Sequence, residues 1–137
     1  MPTLTEVEHA RALMLEAIDW SVMKWLTEKK RVRKAADKAN LTLNTVEQEL
    51  QSKWNSELKS AYAKSGVARP EIKRLASKIR EEHDAANTLR LQAEDTFDGA
   101  EKRLSTAMAR EGCRQAIAGW DHHLEAIRLS QSALDSN

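Results

Sequence analysis

The chain is poor in residues that bend or cross-link a backbone. It has four glycines and two prolines in 137 residues. Sandwiches, barrels and loop-rich enzyme folds need a turn residue about every 8–12 positions, so none of them fits. The single cysteine, Cys113, excludes an internal disulfide and a cysteine-based zinc site. It accords with a reducing compartment. Neither sign of charge dominates: 22 Lys plus Arg stand against 21 Asp plus Glu, a net charge of +1. Bulk charge therefore draws the chain neither to nucleic acid nor to an acidic membrane. The longest uncharged run, Ala39 to Val46, has eight residues, far fewer than the ~20 of a membrane helix. Met1 to His9 show neither the basic start nor the apolar stretch of a signal peptide. A cytoplasmic protein is expected, and the Asn40-Leu41-Thr42 triplet is not read as a glycosylation site.

What the chain does contain is helix. Hydrophobic residues make up 41% and charged ones 31%, the balance of a folded domain. The length suits one domain spanning residues 1–137. Twenty alanines and fifteen leucines favour helices. Thr5-x-x-Glu8 reads as a capping box, with Thr3-x-x-Glu6 as the alternative. Apolar positions then recur in steps of three and four from Ala10 through Trp25, Val32, Leu43, Leu50 and Trp54 to Ala61. Gly66 suits the position after a helix end, and Pro70 the first position of a new helix. The second half keeps the period from Ile72 to Ala107. After Gly112, the series Cys113, Ile117, Trp120, Leu124, Ile127, Gln131, Leu134, in alternating steps of four and three, forms a heptad-like, coiled-coil seam.

An all-α fold is therefore expected: a long antiparallel helical hairpin, Thr5–Ser65 and Pro70–Leu134, each arm ~90 Å long at 1.5 Å per residue. So thin a core should dimerise into a four-helix assembly. The alternative is a compact monomeric four-helix bundle with breaks near Asn44 and Asp98, where Asn44-x-x-Glu47 and Asp98-Gly99-Ala100-Glu101 resemble capping boxes. A turn centred between Val67 and Ala68 sets Lys34 near Glu101 and Trp20 near Gln115. Trp20 and Trp25 then face the small residues Ala109, Gly112, Ala116 and Gly119, and Trp120 falls near Leu15.

Three constellations carry possible chemistry. Glu6-x-x-His9 and His122-x-x-Glu125 would meet at the open end of the hairpin, as metal-binding bundles pair such motifs. Lys29, Lys30, Arg31, Arg33, Lys34 and Lys38 form a basic run that suits phosphates. It faces Glu94, Asp95, Asp98 and Glu101, so intramolecular pairing is the simpler reading. Cys113 lies on the seam, as a buried apolar residue would. No phosphate loop and no nucleophile motif is present, and no cofactor is implied. Leu4, Leu13, Leu15, Met23, Leu26, Leu41, Leu91 and Leu129 lie off the main stripe and suggest a second apolar face. The expected function is non-enzymatic: a scaffold, spacer or adaptor acting as a homodimer, with a protein partner and no membrane. A helical-bundle metalloprotein is the alternative, and a nucleic-acid binder the further one.

Overall fold

The unbroken helical period is realised in the computed structural model, which describes residues 3–65 and 70–135. Helices run α1 Thr5–Ala17, α2 Val22–Ser65, α3 Pro70–Arg103 and α4 Thr106–Asp135. No strand occurs among the described residues. Pro70 opens α3 as its fixed φ favours. Gly66 and the expected turn at Val67 and Ala68 lie outside the described residues. The Thr5 capping box does not form: α1 starts after Leu4 with no side-chain cap.

The breaks lie elsewhere than the sequence suggested. Both Asn40–Asn44 and Asp98–Gly99 lie inside continuous helices. Their polar side chains bond across the bundle instead of back to their own backbone. The Trp120 indole N–H donates to Asn40 Oδ1 at 2.9 Å, and the Thr42 hydroxyl donates to Glu6 Oε2 at 2.5 Å. Leu43 and Ala100 are fully buried in the same stretches, so packing overrides the weak turn signals. The arms instead bend after Ala17 and after Arg103. Ser21 Oγ accepts the Lys24 N–H and Ser105 Oγ the Met108 N–H, both at 3.2 Å, capping α2 and α4. Leu104 takes a left-handed φ of 53°, and the Ser105 N–H closes on the Ala100 carbonyl at 3.0 Å, the bond that ends many helices.

The result is a long hairpin folded in half. α3 packs chiefly on α4 and α1 on α2. α2 runs antiparallel to α3 and meets it only at a few places, in nearly the expected register: Lys29 Nζ meets Glu101 Oε1 at 2.6 Å, and Arg33 meets Glu101 at 3.0 Å. α1 pairs antiparallel with α4 through a two-pronged contact of Arg11 with Asp121. Both bends fall at facing positions, so folding leaves these pairings intact. The two turns lie side by side. Arg110 Nε donates to the Ile18 carbonyl and the Val22 N–H donates to Thr106 Oγ1, each at 3.0 Å. Folding lays α2 parallel to α4, where Trp54 Nε1–H donates to the Ser130 carbonyl at 3.1 Å. The straight hairpin of Thr5–Ser65 and Pro70–Leu134 is thus replaced by four helices packed as a bundle.

The core lies along α4. Trp25 stacks on Phe97 with ring centroids 4.2 Å apart and planes 9° from parallel. A Cβ on Gly112 would lie 2.6 Å from the Phe97 ring, and one on Gly119 3.4 Å from the Ala86 carbonyl oxygen. The glycines do permit close approach, but to α3 and not to Trp20 and Trp25. Trp120 bonds Asn40 instead of meeting Leu15, which is exposed. Trp20 is buried under the Lys24 ammonium, 5.1 Å from its ring centroid.

Candidate metal centre

The fold brings two histidines and a carboxylate together from three helices. Glu47 follows Val46 on α2, one turn beyond Leu43, at the edge of the apolar stripe. His123 continues the α4 seam three residues after Trp120, and that register buries it to 8% exposure. His83 lies on α3, where the hairpin register sets it opposite Glu47. Glu47 Oε2 accepts from His123 Nε2 at 2.6 Å. Glu47 Oε1 lies 2.6 Å from His83 Nδ1, but out of line for a hydrogen bond, so that buried nitrogen has no hydrogen-bond partner. The two imidazoles stand edge to face, centroids 5.7 Å apart. One donor atom from each residue lies within 4.8 Å of the others.

The electrostatics suit a cation. Burial alone would raise the Glu47 carboxyl, but the hydrogen bond from His123 and the charges of both imidazoles outweigh it and hold the carboxyl below its usual range. His83 Nε2 lies 3.1 Å from the Asn87 side-chain nitrogen. Turned over, that amide presents its oxygen to the same ring nitrogen, the outer contact that orients a metal-bound imidazole. A tetrahedral ion with bonds of ~2.0–2.1 Å holds its ligand atoms about 3.3 Å apart. The Glu–His contacts would open by less than about 1 Å to admit it. Three protein ligands leave a fourth position for water or a small molecule. Histidine with carboxylate suits zinc, iron(II) and their neighbours.

A cavity of about 550 Å³ adjoins this cluster and shares His123 as a wall. It opens where α2 and α3 barely touch, between the Glu47–His83 contact and the Lys29 and Arg33 ion pairs. Trp120, Gly119 and Ala116 line it from α4, Val32 and Ala36 from α2, and Ala93 and Phe97 from α3.

The residues singled out from sequence fall in other places. Glu6 holds Thr42, His9 is exposed, His122 Nδ1 lies 2.5 Å from Glu82, and Glu125 pairs with Arg128. α1 and α4 do run side by side, but Glu6 turns to Thr42 on α2, His122 to Glu82 on α3 and Glu125 to Arg128, so the four do not converge. The donor atoms that the fold does gather are those of Glu47, His83 and His123. Sequence reasoning missed this trio because only the fold-back of α4 onto α2 joins it. In the basic run, Lys29 and Arg33 pair with Glu101, Arg33 also approaches Asp98 at 3.9 Å, and Arg31 pairs with Glu28. Lys30, Lys34 and Lys38 are exposed. Cys113 is fully buried, and burial pushes its thiol up to about 12.

Compared with known proteins, the chain matches no family model, no curated protein and no solved structure.

Proposed function

We propose that this is a helical-bundle metal-binding protein that holds one divalent transition-metal ion on Glu47, His83 and His123. The observation that carries it is the convergence of these donor atoms from three helices, within 4.8 Å of one another. One of them, His83 Nδ1, is buried and makes no aligned hydrogen bond, only a 2.6 Å ion-pair contact with Glu47. An ion would take up its lone pair.

The test is a titration of metal-stripped, tag-free protein with Co²⁺, read by visible absorption, and with Zn²⁺, read by calorimetry. One ion per chain is expected. At a hundred times Kd, free ion adds about 2.7 kcal/mol of stability and raises Tm. Glu47→Gln and His83→Ala should abolish the effect, and His9→Ala should leave it intact. Absence of saturable binding in the folded wild-type protein overturns the reading.

A second reading is a non-enzymatic interaction module acting as a homodimer. It is favoured by Leu15, Met23, Leu41, Leu91 and Leu104, which are 45–69% exposed. Their apolar surface would be covered by a second copy. Light scattering coupled to size exclusion tests it: a monomer across the concentrations used overturns the homodimer.

A further inference from the structure

The outer faces of α2 and α3 carry a charge pattern that neither the metal cluster nor the bundle uses. On α2, Lys34, Lys38 and Leu41 follow one another at steps of four and three, so they share one side of the helix, and all three are exposed. On α3, Asp98, Asp95 and Leu91 follow one another at steps of three and four, share one side and are exposed. The contacts of Lys29 with Glu101, Arg33 with Asp98 and Glu47 with His83 fix the antiparallel register of the two helices. In that register the two series run level, each to within one helical turn: Lys34 with Asp98, Lys38 with Asp95 and Leu41 with Leu91. The charges are opposite at both charged levels, and the leucines match. Yet the two series do not meet within the chain, because α2 and α3 barely touch. Lys34, Lys38 and Asp95 form no ion pair among the described residues, and Asp98 reaches only Arg33, at 3.9 Å. Leu41 and Leu91 are two of the large apolar side chains left exposed.

We propose that a second copy of this chain docks on this face, the two α2–α3 pairs packing against each other about a two-fold axis parallel to the helices. Such an axis keeps every residue at its own height and sets α2 of one protomer against α3 of the other. Two level, complementary stripes on one chain are what that symmetry requires. Lys34 and Lys38 then meet Asp98 and Asp95 of the partner subunit, Leu41 covers Leu91 of the partner subunit, and the same contacts form a second time. Asp98 also lines the cavity between α2 and α3, so the interface lies at its mouth. Lys30 and Lys102 are exposed and level with each other, the one like-charged pair at the end of the stripe. The proposal rests on the homodimer reading above and is independent of the metal.

Sedimentation velocity of tag-free, metal-stripped protein over a concentration series reads the dimer constant. Lys38→Glu should weaken the dimer roughly five- to thirtyfold, because symmetry alters two exposed pairs at once. Asp95→Lys should do the same. Both changes in one chain should restore the dimer, a recovery that damage to the fold would not give. Lys30→Glu, which sets a carboxylate against Lys102 of the partner subunit, should tighten the dimer. Leu15→Gln, on α1, should leave it unchanged. Added salt should weaken the wild-type dimer, as exposed pairs are screened. A wild-type dimer that Lys38→Glu and Asp95→Lys leave intact, or that the combined variant fails to recover, overturns this surface while the homodimer reading stands. A wild-type monomer at every concentration overturns both.

Discussion

Glu47 is a charge held half inside the bundle between two imidazoles. Its carboxyl titrates below the usual range, so it stays ionised in the folded protein at pH values where the unfolded chain has taken up a proton. The stabilisation is thus complete above the ordinary carboxyl value of about 4.3 and is lost as pH falls through the lower, folded value. Tm of the metal-free protein measured from pH 7 downwards should therefore fall more steeply for wild type than for Glu47→Gln below about pH 4.3. Parallel curves would contradict this account. Cys113 makes the opposite case: burial keeps it a neutral thiol near neutral pH, with its titration pushed up to about 12. Iodoacetamide should leave it unmodified in native protein and label it at the free-thiol rate in urea. Its role was readable from sequence, because the heptad position alone implied burial. Glu47 was not: a glutamate beside Gln48 and Glu49 reads as part of a solvated helix face and gives no sign of imidazoles arriving from α3 and α4.

The helices themselves were legible, and their ends were only partly so. Pro70 marks its boundary by chemistry intrinsic to the residue. The true bends carry no glycine or proline: they rest on Ser21 and Ser105, whose hydroxyls cap only because neighbouring turns hold the chain there. Leu104 sustains a left-handed backbone that branched-chain geometry disfavours. Leu104→Gly should accordingly raise stability by about 0.5–1 kcal/mol, the saved strain less the added freedom of the unfolded chain. The side chain is largely exposed, so little packing is lost. Thermal or urea denaturation checks it, and a destabilised variant would mean that Leu104 holds contacts beyond its turn. Two glycines give a sharper contrast. A methyl on Gly112 would strike a Phe97 ring already pressed against Trp25, so Gly112→Ala should cost about 1–3 kcal/mol. A methyl on Gly99 meets only the flexible end of Met108. There the helix preference for alanine, up to ~1 kcal/mol, should make the substitution neutral or stabilising. Equal losses at both positions would refute the packing described for Phe97.

For the molecule as a whole, the all-α expectation holds as four helices packed as a bundle, but the expected arm pairing holds only in part: α3 packs chiefly on α4 and α1 on α2, and α2 barely touches α3. The ion pairs between α2 and α3 are legible because charge matches along facing positions, as with Lys29 and Arg33 against Glu101. The bend is not, because a thin two-helix arm and a folded one place the same residues on the same stripe; what decides is the core gained when α4 packs on α3, α1 on α2 and α2 on α4. Helix α2, with 44 residues, is the longest element and spans about 66 Å at 1.5 Å per residue. Small-angle scattering from the monomeric species should give a maximum dimension near ~70 Å; a value near ~90 Å would restore the straight arms.

The two side-by-side turns amount to a crease. Straightening both would undo the packing of α3 on α4 and of α1 on α2, while Glu47 could stay opposite His83. It would carry His123 away with the far half of the strip. An ion gripped by all three residues would therefore serve as a clasp on a folded strip, and loading it should slow amide exchange at residues 18–21 and 104–105, far along the chain from the ligands.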